Sequence, residues 1–141
     1  MLILDDQLLL GILIGRESEQ LLAARSNGVA TTMCWFYRLS RAIAVGSTTG
    51  ALSRRVAALT AAHKAEVVRL VDELPPDILT LDPRTVVPVM SALSSVAPAN
   101  VLTTEAVATA LGLDADIAVS VRSDLLERTS DAARVRVLLF D

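Results

Sequence analysis

The feature that most constrains the fold is the alternation of short apolar runs with longer stretches of helical character. Leu2–Asp5 (LILD), Val29–Thr32 (VATT), Asp77–Leu81 (DILTL), Asp116–Val121 (DIAVSV) and Arg134–Phe140 (RVRVLLF) have the length and the apolar or β-branched content of strands. LILD is apolar on both faces, as a strand buried in a parallel sheet must be. Helices are expected over Asp6–Ile14, which Gly15 ends, and over Glu17–Gly28, where an acidic first turn, Arg25 near the end and the Asn27-Gly28 stop suit the helix dipole. Further helices are expected over Met33–Gly46, with Trp35, Leu39 and Ala42 or Ile43 on one face, and over Ala51–Ala62 and Lys64–Leu74. Pro75-Pro76 breaks that run. Asp82-Pro83 joins an N-cap residue to proline at the first helical position, and Pro88 downstream predicts a kink or a late start. Gly46–Gly50 and Pro98–Asn100 read as loops, Thr103–Leu113 as an amphipathic helix and Ser123–Ala133 as the last helix. Strands and helices in this order predict a single three-layer α/β domain over residues 1–141, built on a mainly parallel sheet. Ligands of such sheets sit at the carboxyl ends of the strands.

Composition sets limits on partners. Hydrophobic residues make up 52% of the chain, ample for a core, while aromatics make up 3% and offer no stacking platform for single-stranded nucleic acid. The run LLLGILIG is far shorter than the roughly 20 residues that cross a bilayer, and no basic segment precedes it, so neither a membrane span nor a signal peptide is expected. The single Cys34 excludes an internal disulfide and fits a reducing cytoplasm. Cys34 and the single His63 cannot build a structural zinc site. A net charge of −3 argues against a generic electrostatic nucleic-acid binder. Twelve arginines stand against one lysine, Lys64; GC-rich coding explains that bias, or else some of the arginines contact phosphates.

Few motifs carry chemistry. GSTTG lacks the GK[ST] ending of a phosphate-binding loop. His63 stands in a polar turn and belongs to no nucleophilic triad. The Trp35-Phe36-Tyr37 cluster reads as core packing, with Tyr37 able to present its hydroxyl. The carboxylates are more informative. Asp5 ends the first strand, Glu105 opens a helix leading into DIAVSV, and Asp124 follows that strand. At the carboxyl edge of a parallel sheet these three would be natural ligands for Mg²⁺ or Mn²⁺, which could activate water against a phosphodiester. Each also has a plainer use: Glu105 and Asp124 as first-turn acids favoured by the helix dipole, Ser123 as a cap, and Asp6 as the cap of the apolar helix behind it.

Together these segments resemble the PIN domains. MLILDDQLLL is similar to the family's opening strand, aspartate and apolar helix; VATTMCWFYRLSRAI to its second strand and helix; LTLDPRTVVPVMSAL to the segment before the next core helix; and NVLTTEAVATALGLDADIAVSVRSDLL to its acid-opened helix, strand and Thr-x-Asp turn. The resemblance spans nearly the whole chain. It implies an α/β/α sandwich and a metal-dependent ribonuclease, often the toxin of a bacterial toxin–antitoxin pair, with Mg²⁺ or Mn²⁺ as cofactor, RNA as substrate and an antitoxin-like protein as partner. It assigns Asp5 as the first acid and Glu105 as the third, with Asp124 as a candidate for the fourth. The chain departs from the pattern in two places. No acid stands near Trp35–Arg38 where a glutamate belongs, and Ser120-Val121-Arg122 puts an arginine where the fourth acid belongs. A guanidinium among carboxylates competes with a cation. Two expectations follow: a weak nuclease with an eroded site, or a catalytically silent relative that binds RNA or protein, in which Arg122 pairs with Asp5 or Glu105. Ala- and Val-rich helices such as ALSRRVAALTAA leave apolar faces that predict a homodimer.

Overall fold

The computed structural model describes residues 1–46 and 50–141; the centre of the expected Gly46–Gly50 loop lies outside them. Five strands and eight helices alternate among the described residues: β1 (Leu2–Leu4), α1 (Asp6–Leu13), α2 (Glu19–Ala24), β2 (Val29–Thr31), α3 (Met33–Val45), α4 (Ala51–Ala57), α5 (Ala61–Asp72), β3 (Ile78–Leu79), α6 (Pro83–Val96), α7 (Val101–Leu113), β4 (Asp116–Val119), α8 (Asp124–Ala133) and β5 (Val137–Leu139). The strands form one sheet in the order β3-β2-β1-β4-β5, and every pairing is parallel. The expected three-layer α/β/α architecture is the one observed.

β1 lies at the centre, and its alternation divides the core. Leu2 and Leu4 face one layer, where they join Leu8 and Leu9 of α1, Leu39 of α3, Val56 of α4 and Val67 of α5. Ile3 faces the other, with Ala30, Ile117, Ala106 and Val107 of α7 and Leu126 of α8. Leu52 and Val56 put one face of α4 inside this core, while Ala57, Ala58, Ala61 and Ala62 of ALSRRVAALTAA stay exposed. Among the described residues no single helix is long and apolar enough to cross a membrane.

The boundaries differ from expectation where a residue leaves its strand to cap a helix. Thr32 ends β2 early because its side chain accepts from the Trp35 N–H at the start of α3. Ser120 ends β4 early because it bonds to Asp5. β5 begins late because Arg134 adopts the left-handed conformation that closes α8. The helix expected over Glu17–Gly28 is shorter: Ser18 caps α2, and a 3-10 turn over Arg25–Asn27 follows it. Asp82 caps α6 at Pro83, so Pro88 does not delay it, and the helix continues through that proline. α7 is not amphipathic. Thr103 to Ala110 are all buried, because this helix is sandwiched between the sheet and both α6 and α8. Its small side chains permit that close approach.

Candidate functional site

At the carboxyl edge of the sheet Asp5 follows the last residue of β1, and the first surprise lies there. Asp5, with extended backbone, is the N-cap of α1, and Asp6 is the first helical residue. The assignment of the cap to Asp6 is therefore corrected: a cap needs the extended conformation that β1 carries only as far as Asp5. One carboxylate oxygen of Asp5 accepts from the N–H groups of Gln7 (3.1 Å) and Leu8 (2.8 Å). The other accepts from the Ser120 N–H (2.7 Å) and the Ser120 hydroxyl (2.8 Å). A carboxylate offers about four lone-pair sites, and here all four are filled from within the chain. Asp5 thereby ties the start of α1 to the end of β4.

Glu105 is also structural, in a different way. It lies on α7 with 8% exposure, and its two oxygens accept from the N–H groups of Met33 (3.0 Å) and Cys34 (2.8 Å). These are orphan donors of the first turn of α3, which carries no acid of its own. The neighbouring Cys34 thiol is pushed up to about 11, first by burial and then by its hydrogen bond to Glu105 and that group's charge, so it stays protonated at neutral pH.

Asp124 is exposed in the first turn of α8, whose cap is Ser123. Among the described residues no group of three or more histidine, cysteine or acid side chains is placed to hold a metal ion, so Asp5, Glu105 and Asp124 are not gathered into one. This donor set does not fit a resident divalent cation: one carboxylate is saturated, the second caps α3, and the third is a solvated helix-start acid. Arg122 is corrected as well. It pairs with Glu127 of α8, five residues on, and with neither Asp5 nor Glu105, because the turn after β4 carries it out to solvent.

The carboxyl edge carries a feature that no motif announced. Asp6 is buried, with its carboxyl raised to about 6 by desolvation, against the lowering influence of Arg38 and with a smaller raising influence from Asp5. Arg38 Nε lies 3.0 Å from Asp6 Oδ2, so an arginine of α3 leans over the start of α1. Arg55 of α4 reaches the same helix turn and donates to the Gln7 side chain at 3.3 Å. Between α3 and α4 lies a cleft of about 290 Å³ of mixed character, with Arg38, Arg41 and Ser53 beside Ala42, Val45 and Leu52. Arg41, Arg54 and Arg55 have no carboxylate within 4.0 Å among the described residues.

The sequence did hold a signal for this face. Not one acid occurs from Gln20 to Ala65, while Arg25, Arg38, Arg41, Arg54, Arg55 and Lys64 fall within that stretch. All sixteen acids lie outside it. A whole-chain charge of −3 averages over this segregation and hides it.

Comparison with known proteins finds no family model that matches this chain, and no curated protein that matches it.

Proposed function

We propose that the chain is a catalytically silent, PIN-like module that binds single-stranded RNA through its arginine face. The observation that carries this reading is the charge at the carboxyl edge of the sheet. Where a metal nuclease would present free carboxylates, Asp5 is saturated by four donors and Asp6 is covered by Arg38. The accessible charges beside them are the guanidinium groups of Arg38, Arg41 and Arg55. A planar guanidinium suits bidentate contact with phosphate oxygens, and phosphate contacts supply affinity without reading sequence. The scarcity of aromatics fits a backbone-directed mode rather than base stacking.

Fluorescence anisotropy with a labelled RNA of about 12 nucleotides tests this. Phosphate contacts from Arg38, Arg41, Arg54 and Arg55 give a slope of log K against log salt near −3, from about −0.7 per contact on a single strand. The triple variant Arg41→Glu/Arg54→Glu/Arg55→Glu, all exposed positions, is expected to abolish binding while the fold persists. The same RNA is incubated with Mn²⁺ and is expected to stay intact. Mn²⁺-dependent cleavage that disappears in Asp5→Ala restores the ribonuclease reading, and absence of binding at low salt removes the RNA reading altogether.

A further inference from the structure

At the start of α3 the chain holds a second pocket, distinct in chemistry from the arginine cleft. It has a volume of about 340 Å³ and lies between the start of α3, the face of α6 and the start of α7. That size falls within the range of small-ligand sites. Its walls are apolar, from Met33, Tyr37, Val86, Val87, Met90 and Val101, and four of these stand more than half exposed: Met33 (52%), Tyr37 (65%), Val87 (56%) and Val101 (65%). One charged residue, Glu105, lines it.

We infer that this pocket binds a small amphiphilic cation, an amine or guanidinium on an apolar body, whose charged head meets Glu105. The contrast with Asp5 carries the argument. Asp5 has all four acceptor sites filled, whereas the Glu105 carboxylate receives the Met33 and Cys34 N–H groups and the Cys34 thiol and keeps one acceptor site. Glu105 is itself nine-tenths buried and lines an otherwise apolar pocket. A charge-assisted N⁺–H···O⁻ bond in such surroundings is stronger than one at the surface. An anion would be repelled there, and a neutral alcohol of the same shape would gain only the apolar part. Tyr37 and Val101 at the rim cover the body of the ligand, while the head reaches the floor. Three helices wall the chamber, which suits a compact molecule better than a flat partner surface.

The methionines supply the assay. The chain contains three, Met1, Met33 and Met90; the last two line the pocket and Met1 does not. ¹³C-methyl methionine spectra of the whole protein are recorded during titration with 2-phenylethylamine, 2-phenylethanol and 3-phenylpropanoate. The expected result is saturable shifts of the Met33 and Met90 signals with the amine, with Met1 unmoved, at least ten-fold weaker binding of the alcohol and none of the carboxylate. Val87→Asn, at an exposed wall position, is expected to keep the fold and weaken the apolar body's binding for amine and alcohol alike. Glu105→Gln is expected to remove the preference for amine over alcohol. Equal affinity for amine and alcohol, shifts that include Met1 equally, or no saturation at millimolar amine overturns the inference. If Glu105→Gln fails to fold, the amine-to-alcohol ratio of the unmodified protein decides alone.

Discussion

Replacing Asp5 by alanine separates a structural carboxylate from a catalytic one. As the cap of α1, Asp5 contributes about 1 kcal/mol, the usual loss when an aspartate cap becomes alanine. The substitution also strands the Ser120 N–H and hydroxyl, both bonded to the same carboxylate, at about 1 kcal/mol each in this half-buried position. The sum is about 3 kcal/mol. With a urea m-value near 2 kcal/mol/M for a chain of this size, the unfolding midpoint falls by ~1.5 M. Asp5→Asn keeps the capping oxygen but turns an amide donor toward the Ser120 N–H, so its midpoint falls about half as far. A metal-site acid behaves in the opposite way. Its charge lies close to Asp6, whose carboxyl it pushes up, and removing it relieves that repulsion. Urea titration followed by circular dichroism, with and without millimolar Mg²⁺, reads the difference. A midpoint that rises in Asp5→Ala, or a Mg²⁺-dependent stabilisation of the unmodified protein that this variant loses, refutes the saturation argument.

Other perturbations follow from the same geometry. Asp6 carries a folded-state carboxyl raised from 3.8 to about 6, so its contribution to stability is fully present below pH 3.8 and is lost as pH rises through 6, a change of about 3 kcal/mol. Asp6→Asn is therefore expected to match the unmodified protein near pH 4 and to exceed it by about 2 kcal/mol at pH 7.5; urea midpoints at the two pH values check it, and an equal gap at both removes the assignment. Glu105→Gln loses one of two backbone acceptors and the charge beside Cys34, so stability falls by about 1–2 kcal/mol and the thiol titrates below 11, read from the pH dependence of iodoacetamide alkylation. Arg122→Ala breaks only an exposed pair with Glu127 and is expected to shift stability by less than about 0.5 kcal/mol by urea titration. Arg41→Ala is expected to weaken RNA about three-fold and to reduce the magnitude of the salt slope by about 0.7 in anisotropy titrations.

The layers of the fold were legible because hydrophobic burial writes them directly into the chain. LILD, buried at every position of β1, can only be a central strand, and the helices between the strands are expected on its two faces. Strand ends were less legible. Thr32 and Ser120 belong to strands by composition, and only the helix or carboxylate that each serves pulls them out of the ladder. The site divides along the same line. That Asp5 and Glu105 stand near the carboxyl edge follows from their places at a strand end and a helix start. What their oxygens bond to depends on residues far away in sequence, Ser120 for Asp5 and Met33 with Cys34 for Glu105. No local pattern encodes such pairings. Asp5-Asp6 offers two cap candidates, and sequence does not say where the extended backbone stops. The pairing of Arg122 with Glu127 is local and was open to reading from a five-residue spacing.

The acid-free stretch turns a weak overall charge into a strong local argument. Outside Gln20–Ala65 the chain carries sixteen acids against seven arginines, and inside it six cations against no acid. A protein that needed only solubility would intersperse the two signs, since mixed surface charge keeps fields small. Arg25 is paired with Glu17 and Arg38 with Asp6 from outside the stretch, but the guanidinium groups left without a counter-charge repel one another, a standing cost to the folded state. Arg38 and Arg55 are drawn toward the start of α1 by Asp6 and Gln7, which offsets a small part of it. Arg41 and Arg54 have no carboxylate within 4.0 Å among the described residues. An anionic partner would offset the rest. The stability of this chain should therefore rise when RNA is added at low salt, by RT ln(1 + [L]/Kd), and the gain should vanish on addition of salt. An unmodified protein whose unfolding temperature ignores RNA at low salt would leave the segregated arginines without that explanation.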